Sequence, residues 1–524
     1  MACFVVLIIF VLLPSVSANW KRVSDAEKDQ QIRLIFALKL VNIRWLDQMF
    51  WAVSDPKSAD YGNYMNFNEI AAKVRARPGA VERVTALLGR NGVSIIDVSA
   101  GGNYLIAWMK CSSANKIFNT TFGNYIFDDY PEIVVHKTTT YTVPNEIVDD
   151  IEFVLGIDTF PKIGSSCTTQ VKLNSLLSVE SETTPASIMK SYNISSYESS
   201  SPGNSQAVAA FLSEYFRPSD LHQFQEHYKV PTNPVAKVVG VNSAQKAKVE
   251  SSLDLQYITS IGRKVATWFV YTPGLVNHGQ EDFLTWIVGQ TNTTDSPWVH
   301  SVSYGDVESS IPDSFKTRVN IEFQKFGVSG RTVLFSSGDS GTGCHNEKYV
   351  PNWPTSSPYV TSVGGTTRYQ DTEKAAPFGG GGFSNFFEMP HYQKDAVQKY
   401  LQSNKAPSTN FFNKTGRAYP DMSAFATNCE IVYDNSWLYV DGTSCASPIV
   451  AGIVSLLNDV RMKQGKKTLG FINPLLYQLA GKGFHDIAEG SNGNGICPGF
   501  KAAKGWDPTS GWGSPNFGIL KGLV

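Results

Sequence analysis

A serine lies at the start of an apolar helix late in the chain. Ser444 is part of segment 442–448, Gly-Thr-Ser-Cys-Ala-Ser-Pro, which leads into the apolar run 449–454. A hydroxyl at a helix start can act as a nucleophile, because the free N–H groups and the helix dipole stabilise a developing oxyanion. The simpler interpretation is an N-cap, which is the commonest use of an isolated serine at such a position.

Two carboxylates in the same chain could act as a base. Glu250 and Asp254 are four residues apart, which places them on one face of a predicted helix, about 5–6 Å apart at Cβ. Such a pair is usually part of a solvated acidic face. Here the neighbours are largely apolar, which favours a cleft wall and a raised pKa for one carboxyl; they are Val249, Leu253, Tyr257 and Ile258. A carboxyl of that kind can serve as general base.

The segment around Ser444 resembles the nucleophile segment of the subtilisin-like peptidases. A subtilisin also has an Asp-Thr-Gly or Asp-Ser-Gly segment and a His-Gly-Thr-His segment earlier in the chain, and neither is present. His278 precedes a glycine, but Gln280 follows that glycine. A group other than histidine must therefore activate Ser444, and the pair Glu250 and Asp254 supplies it.

With that pair, the chain resembles the sedolisins, the Ser-Glu-Asp peptidases that share the subtilisin fold. The resemblance extends in order over nearly the whole chain, through segments 54–62, 300–306, 335–341, 357–366, 379–384 and 419–423. One departure is Asp441, where the family usually has serine before Gly-Thr-Ser. The resemblance implies an α/β fold with a subtilisin-like parallel sheet and helices on both faces, preceded by an α+β ferredoxin-like prodomain.

The resemblance also implies a role for each site residue. Ser444 is the expected nucleophile, Glu250 the general base and later acid, and Asp254 the group that orients Glu250. Asp339, in segment 335–341, is the expected donor to the oxyanion. A carboxyl donates that hydrogen bond only when it is protonated, so activity in acid is expected. Segment 300–306 is the expected substrate-binding strand, to which a peptide adds by main-chain hydrogen bonds.

The implied activity is acid hydrolysis of peptide and protein substrates, with release of tripeptides from free N-termini. A sedolisin endopeptidase that cuts inside chains is the alternative, and the sequence does not decide between the two. A secreted binding protein that keeps the fold without the chemistry is the non-enzymatic alternative. The presence of all four expected site residues argues against it.

Asp339 also lies in the tetrad Gly-Asp-Ser-Gly, which is similar to the nucleophile segment of chymotrypsin-like peptidases. Those enzymes need an all-β double barrel and an Ala-His-Cys segment upstream, and the chain offers neither. Ser340 is therefore predicted to support the site and not to attack the substrate.

Segments 484–487, 504–508 and 511–513 contain Gly, Asp and Pro, the residues that dominate turns, and without the resemblance they would be predicted as turns. By resemblance to the sedolisins they form a calcium site, and oxygen ligands suit calcium. The implied ligands are two side chains and three main-chain carbonyls, namely Asp486 and Asp507 with the carbonyls of Ile487, Ala503 and Gly505.

The composition is that of a globular protein of more than one domain. The chain has 524 residues, of which 42% are hydrophobic, enough for large cores. Lys and Arg number 45 against 46 Asp and Glu, without a long basic run. Nucleic-acid binding is therefore not expected.

Several features indicate the secretory route. An apolar run followed by Val16-Ser17-Ala18 predicts a signal peptide cleaved after Ala18, although a positive n-region is missing. No membrane association is expected after its removal. Six cysteines then remain, and they fit disulfides whose pairing the sequence leaves open. Four N-glycosylation sequons agree with a lysosomal or secreted destination, at Asn119, Asn193, Asn292 and Asn413.

The predicted organisation has four parts. The signal peptide 1–18 precedes a propeptide domain 19–164, a Ser/Thr-rich linker 165–190 and a peptidase domain 191–524. The linker is expected to hold the maturation cleavage, between about residues 161 and 193. The propeptide is expected to inhibit the peptidase.

Apolar spacing predicts the elements of both large domains. In the propeptide it predicts helices over 31–51 and 80–88 and a hairpin of strands 93–98 and 104–109. Beyond the linker, strands alternate with helices, which predicts a parallel sheet. The predicted strands are 206–211, 235–241, 266–271, 298–303 and 331–336.

Overall fold

The computed structural model describes residues 20–128, 130–160, 170–172, 181–273, 281–369, 372–493 and 497–524. The chain forms two compact units. Of the described residues, the first unit contains those within 20–43, 71–160 and 281–283, and the second contains those within 44–70, 170–172, 181–273 and 284–524. The predicted signal peptide and residues 165–169 and 173–180 of the predicted linker lie outside the described residues.

The described residues up to 160 form seven strands and four α-helices. In chain order these are β1 (Trp20–Asp25), β2 (Gln31–Leu38), α1 (Ile43–Ser54), α2 (Phe67–Lys73), α3 (Ala80–Arg90), β3 (Ser94–Val98), β4 (Tyr104–Lys110), α4 (Cys111–Phe118), β5 (Gly123–Phe127), β6 (Tyr130–Lys137) and β7 (Ile151–Leu155).

The first unit has an α+β architecture, as predicted. Its antiparallel sheet has the strand order β3-β4-β2-β7, and a second sheet has the order β1-β5-β6. Helices α3 and α4 share a core with the first sheet, for example through Val84, Phe118 and Phe36. The predicted hairpin β3-β4 and the predicted helix α3 are both present.

The predicted helix over 31–51 is wrong in its first half. Residues 31–38 form β2, and the helix α1 starts only at Ile43. β2 lies between β4 and β7, and its last five side chains are buried, including both Ile35 and Phe36. A strand covered on both faces has a continuous apolar run, which spacing alone does not distinguish from a buried helix.

From residue 170 the remaining elements, in chain order, are β8 (Gln170–Lys172), α5 (Pro185–Ser191), β9 (Ser205–Ala210), α6 (Pro218–His227), β10 (Val235–Val239), α7 (Val249–Ile261), β11 (Ala266–Tyr271), α8 (Glu281–Thr291), β12 (Val299–Val302), β13 (Asp306–Val307), α9 (Asp313–Val328), β14 (Thr332–Ser336), β15 (Asn352–Trp353), β16 (Thr361–Tyr369), β17 (Thr372–Ala375), β18 (Gly382–Glu388), α10 (Lys394–Leu401), β19 (Gly416–Tyr419), β20 (Met422–Phe425), β21 (Cys429–Tyr433), β22 (Ser436–Asp441), α11 (Thr443–Lys463), α12 (Asn473–Leu479), β23 (Phe484–His485), β24 (Ser514–Pro515) and α13 (Phe517–Leu520).

The second unit contains the predicted parallel sheet. Its eight strands have the order β10-β11-β9-β12-β14-β16-β17, with β20 also paired to β16. All these pairings are parallel except β16-β17. The five predicted strands correspond to β9, β10, β11, β12 and β14. A largely parallel sheet excludes the double barrel of a chymotrypsin-like peptidase.

Two helices, α7 and α11, pack against each other and against this sheet. Their approach depends on Gly452, where an added Cβ would lie 2.7 Å from the backbone nitrogen of Gly262. Helix α11 is long and apolar enough to cross a membrane by length and composition, but 94% of its apolar stretch is buried inside the fold. It is therefore a core helix in this structure.

Candidate active site

Ser444 is the second residue of α11 and is fully buried. The helix N-cap is Gly442, which makes no side-chain cap, so the interpretation of Ser444 as an N-cap is wrong. Its Oγ makes no hydrogen bond to any residue that the structure describes. A disulfide between Cys429 and Cys445 anchors the first turn of the helix to β21. The hydroxyl is thus held in place and is not used by the fold.

Beyond the predicted signal peptide, four other cysteines remain, two of which form a second disulfide. Cys344 and Cys497 form a disulfide. Within the described ranges, Cys111 is buried and forms no disulfide. Cys167 lies outside the described residues.

Asp339 lies just beyond the carboxyl end of β14 and faces the start of α11. Its Oδ1 accepts hydrogen bonds from the backbone N–H of Thr443 at 2.7 Å and from the Thr443 hydroxyl at 2.8 Å. Its Oδ2 is buried and makes no hydrogen bond to a described residue. Burial raises the pKa of Asp339 to about 6, although the two hydrogen bonds from Thr443 act to lower it. In acid, Oδ2 can therefore carry a proton and donate it to an oxyanion.

The turn that presents Asp339 requires a glycine before it. Gly338 has a φ of 104°, and a Cβ there would lie 2.2 Å from Nδ2 of Asn352. Only glycine adopts this backbone conformation without strain.

The departure at Asp441 places a second carboxyl near this donor. Asp441 is 7% exposed, and its Oδ1 accepts the N–H of Asn428 at 2.8 Å. The charge of Asp441 adds to the rise in the pKa of Asp339. The residue thus favours the protonated form of the expected oxyanion donor.

Glu250 and Asp254 both lie in α7, and every residue from 250 to 261 is buried. The interpretation of the pair as a solvated acidic face is therefore wrong. Asp254 is fully buried, while Glu250 keeps 8% exposure. Burial, and after it the charge of Glu250, raises the pKa of Asp254 well above its ordinary value. Asp254 is therefore held in its protonated form to a higher pH than an ordinary aspartate.

A serine that sequence reasoning missed joins the two helices. Ser303 follows β12 directly, and its Oγ donates to Asp254 Oδ1 at 2.8 Å and lies 3.5 Å from the carbonyl oxygen of Ser444. The carboxyl end of a parallel strand is where such sites form. Ser303 lies in segment 300–306, but no spacing in the sequence indicates that it contacts α7.

Part of the predicted substrate-binding strand cannot take a peptide. Residues 299–302 form β12, which is paired with β9 on one side and β14 on the other. Both edges of β12 are already used by the sheet. A peptide that adds as a strand could use only the following residues, 303–305.

Two of the proposed calcium ligands, Asp486 and Asp507, accept hydrogen bonds from the backbone of residues 503–505. Both carboxylate oxygens of Asp486 accept the N–H of Gly505 at 3.1 Å, and Asp507 Oδ2 accepts the N–H of Ala503 at 3.0 Å. In the described part of the chain, no group of three or more His, Cys, Asp or Glu side chains could hold a metal. Two carboxylates supplemented by carbonyls still fit a calcium ion, because calcium binds oxygen of either kind.

Asp486 and Asp507 differ in burial and in the number of hydrogen bonds that they accept. Asp507 is fully buried and also accepts hydrogen bonds from Thr509 and Ser510. Asp486 is exposed. Asp507 therefore has a structural role of its own, whereas Asp486 is exposed and accepts the N–H of Gly505.

Comparison with known proteins agrees with this geometry. Residues 18–160 match the Pro-kumamolisin activation domain and residues 277–468 match the subtilase family. Tripeptidyl-peptidase 1 of Homo sapiens is 36% identical over 97% of this chain and 94% of its own length. Tripeptidyl-peptidase 1 of Dictyostelium discoideum is 35% identical over 94% of this chain and 88% of its own. The chain belongs to the tripeptidyl-peptidase 1 family.

Membership of the tripeptidyl-peptidase 1 family confirms the expectation of a serine-carboxyl peptidase with an N-terminal activation domain. A solved structure, Pseudomonas sedolisin in complex with two molecules of pseudo-iodotyrostatin, is similar with a TM-score of 0.55 and 22% identity. It covers 66% of this chain and 98% of the sedolisin chain. The likeness confirms the predicted subtilisin-like fold.

Proposed function

We propose that this chain releases tripeptides from the free N-termini of polypeptides in acid, with Ser444, Glu250, Asp254 and Asp339 as its catalytic residues. The observation that carries the proposal is the raised pKa of two carboxyls, Asp339, which faces the start of α11, and Asp254, which lies in α7. An acid peptidase needs both a protonated donor and a base that is still ionised. The relatives' name supports tripeptides as the product.

The mechanism has two half-reactions, and in each of them Glu250 first accepts a proton and then returns it. Ser444 Oγ attacks the scissile carbonyl carbon while its proton passes to Glu250, and protonated Asp339 donates to the oxyanion. When the carbon–nitrogen bond breaks, Glu250 returns the proton to the leaving amine, which leaves an acyl-enzyme on Ser444. Water then attacks the acyl carbon with the same proton transfers, and the carboxylic acid product leaves. Asp254 keeps its proton and orients Glu250.

An acetylated substrate distinguishes this function from that of an endopeptidase. A peptide with a free amine should yield tripeptides in succession, because a tripeptidyl-peptidase recognises the terminal ammonium. Its N-acetylated twin should be cut at least about 100-fold more slowly, since a site built around a charged group leaves its own polar groups unpaired without it. Mass spectrometry of the products checks this. Equal turnover of the two peptides would support the endopeptidase alternative.

The propeptide is proposed to inhibit the peptidase through α1, whose described contacts lie in the second unit. Asp47 Oδ1 accepts hydrogen bonds from Gln324 Nε2 at 2.8 Å and from the Tyr359 hydroxyl at 3.0 Å. The Trp51 ring packs against those of Tyr359 and His391, with centroids 5.8 and 4.9 Å apart. These contacts tie the propeptide segment to the peptidase fold.

Trp51→Ala is expected to speed maturation of the full-length chain in acid. Loss of a packed tryptophan costs on the order of 3 kcal/mol, so maturation should be at least about tenfold faster at the same pH. The measurement is the rate of loss of the full-length band at pH 5. Trp108→Ala is the matched control, because Trp108 is 43% exposed on β4. If both variants mature at the wild-type rate, α1 does not restrain the peptidase.

The cleavage that removes the propeptide is proposed to fall before Thr183. The Thr183 hydroxyl donates to the Thr427 carbonyl at 2.8 Å, and its own carbonyl accepts the Tyr257 hydroxyl at 2.7 Å. Residues 185–191 then form α5, with a capping box at Thr184. A protease needs extended and accessible backbone, so the later part of the expected range 161–193 is a poor site.

We also propose that the chain passes through the secretory route to the lysosome or the exterior.

Calcium is proposed to stabilise the contact between Asp486 and the loop that contains Asp507. Asp486→Asn should abolish the rise in melting temperature that millimolar calcium causes, expected to be a few degrees, and should leave the melting temperature in chelator unchanged. Thermal unfolding with and without calcium measures both. Asp507→Asn is the contrast, because it should unfold earlier even in chelator. If the wild-type melting temperature is the same in calcium and in chelator, these segments are only turns and bind no calcium.

A further inference from the structure

Thr443, the residue before the expected nucleophile, joins the start of α11 to the turn that presents Asp339. It is the first residue of α11 and is fully buried. Its backbone N–H and its hydroxyl both donate to Asp339 Oδ1, at 2.7 and 2.8 Å. The same hydroxyl oxygen accepts the N–H of Gly338 at 3.1 Å. Thr443 thus contacts both the expected oxyanion donor and the residue before it.

These contacts decide which oxygen of Asp339 carries the acid proton. A hydroxyl has one proton to donate, whereas a backbone N–H can only donate. The Thr443 hydroxyl therefore accepts the N–H of Gly338 and gives its own proton to Asp339 Oδ1. Because Oδ1 already accepts two hydrogen bonds, the acid proton is placed on Oδ2. Oδ2 is buried and makes no hydrogen bond to any residue that the structure describes, so its proton is available to an oxyanion.

We propose that the Thr443 hydroxyl positions Asp339 as the oxyanion donor: it fixes Oδ1 as the accepting oxygen and leaves Oδ2 to hold the proton. Thr443 is a positioning residue in this role, because it acts through Asp339. The inference rests on the proposed function, which assigns Asp339 as the donor. Since the oxyanion exists only after attack on the carbonyl, the effect of Thr443 should appear in kcat and in the alkaline limb, and not in KM.

The direction of the pH effect follows from hydrogen bonds to a charged group. Such bonds favour the ionised form of a carboxyl. Burial raises the pKa of Asp339 to about 6, and the hydrogen bonds from Thr443 oppose that rise. The charge of Asp441 also acts on Asp339 and raises its pKa. Loss of the Thr443 hydroxyl should therefore let Asp339 keep its proton to higher pH, and the alkaline limb should move upward.

The turn that contains Gly338 has two other supports, so the Thr443 hydroxyl can be removed without loss of the turn. Asn352 Nδ2 donates to the Ser337 carbonyl at 3.2 Å. The N–H of Gly380 donates to the Gly338 carbonyl at 2.6 Å. Neither of these donors carries a charge, so they add no titration of their own to the pH profile.

Thr443→Val tests the inference, because valine keeps the branched shape and lacks the hydroxyl. We expect the alkaline limb of kcat to move up by about half a pH unit or more. At the optimum, kcat should fall about threefold or more at unchanged KM, because the donor is less well oriented. Thr443→Ser keeps the hydroxyl and should restore both the limb and kcat. The measurement is kcat and KM between pH 3 and 8 on a free-amine peptide, with the acid-matured enzyme.

Thr332→Val is the matched control. Its buried hydroxyl donates to the Gly470 carbonyl at 2.6 Å, at the opposite end of β14 from Asp339. The control should lower the melting temperature and leave the pH profile as in wild type.

An alkaline limb that stays in place or moves to lower pH in Thr443→Val contradicts the inference. The proposed function then stands if Asp339→Asn still flattens that limb. If Thr443→Val does not mature, Thr443→Ala decides, because it lacks the same hydroxyl and must move the limb in the same direction. A limb that Asp339→Asn leaves unchanged would instead contradict the role of Asp339 in the proposed function.

Discussion

Ser444→Ala is expected to lower kcat by about 10⁴-fold or more and to leave the chain full length in acid. The substitution removes the atom that forms the acyl-enzyme, and the remaining groups contribute little without it. It should not harm the fold, because the Ser444 Oγ is buried without a hydrogen bond to any described residue. Thermal unfolding should therefore match that of the wild-type proenzyme. Peptide hydrolysis at pH 4–5 measures the loss of kcat, and gel analysis at the same pH shows whether the chain stays full length.

One control variant and one measurement on the wild type accompany this experiment. Ser340→Ala should keep most of the activity, because Ser340 lies on the exposed side of the turn that presents Asp339. N-terminal sequencing of the matured wild type should place its first residue before Thr183, whose backbone and hydroxyl are held in the fold. If Ser444→Ala matures at the normal rate with no other protease present, self-processing is wrong.

Asp339 should determine the alkaline limit of activity. Its pKa is raised to about 6 by burial, so the protonated donor disappears as the pH rises through that value. Asp339→Asn should flatten the alkaline limb, because the amide donates at every pH. Asp339→Ala should lose about 10²–10³ in kcat at all pH values, which is the usual effect of one oxyanion donor. Initial rates between pH 3 and 8 on one peptide measure all three enzymes.

The same group affects stability, with a definite sign. Because the pKa of Asp339 in the fold lies above its ordinary value, the fold favours the protonated form. Its contribution to stability is fully present below the unfolded pKa, about 3.9, and is lost as the pH rises through about 6. Asp339→Asn should therefore lose less stability than wild type between pH 4 and 7. An equal loss, together with an unchanged alkaline limb, would exclude Asp339 as the titrating donor.

The parallel sheet could be predicted because its strands are short apolar runs separated by helical segments. Residues 266–271, predicted as a strand, form β11 with the same bounds. The helix of Glu250 was predicted as well, and its apolar neighbours correctly indicated that the carboxyls are not on a solvated face. These features depend on local pattern, which the sequence carries directly.

Features that depend on long-range packing could not be predicted. β2 was mistaken for helix, because a strand buried on both faces lacks alternation. The pairing of Cys429 with Cys445 requires β21 to lie beside α11, which no spacing indicates. The contacts of Ser303 with Asp254, and of Asp47 with Tyr359, join residues 49 and 312 positions apart. Only the folded chain brings such groups together.

Covalent labelling of the mature enzyme tests whether Ser444 is the nucleophile. The acid-matured enzyme, incubated near pH 4.5 with a serine-directed fluorophosphonate, should lose activity in step with the addition of one label per chain. Peptide mapping by mass spectrometry should place that label on Ser444, and Glu250→Gln should react far more slowly because its base is gone. A label on Ser340 or another residue that increases as activity is lost, or a fully labelled Ser444 in an enzyme that remains active, would show that Ser444 is not the nucleophile.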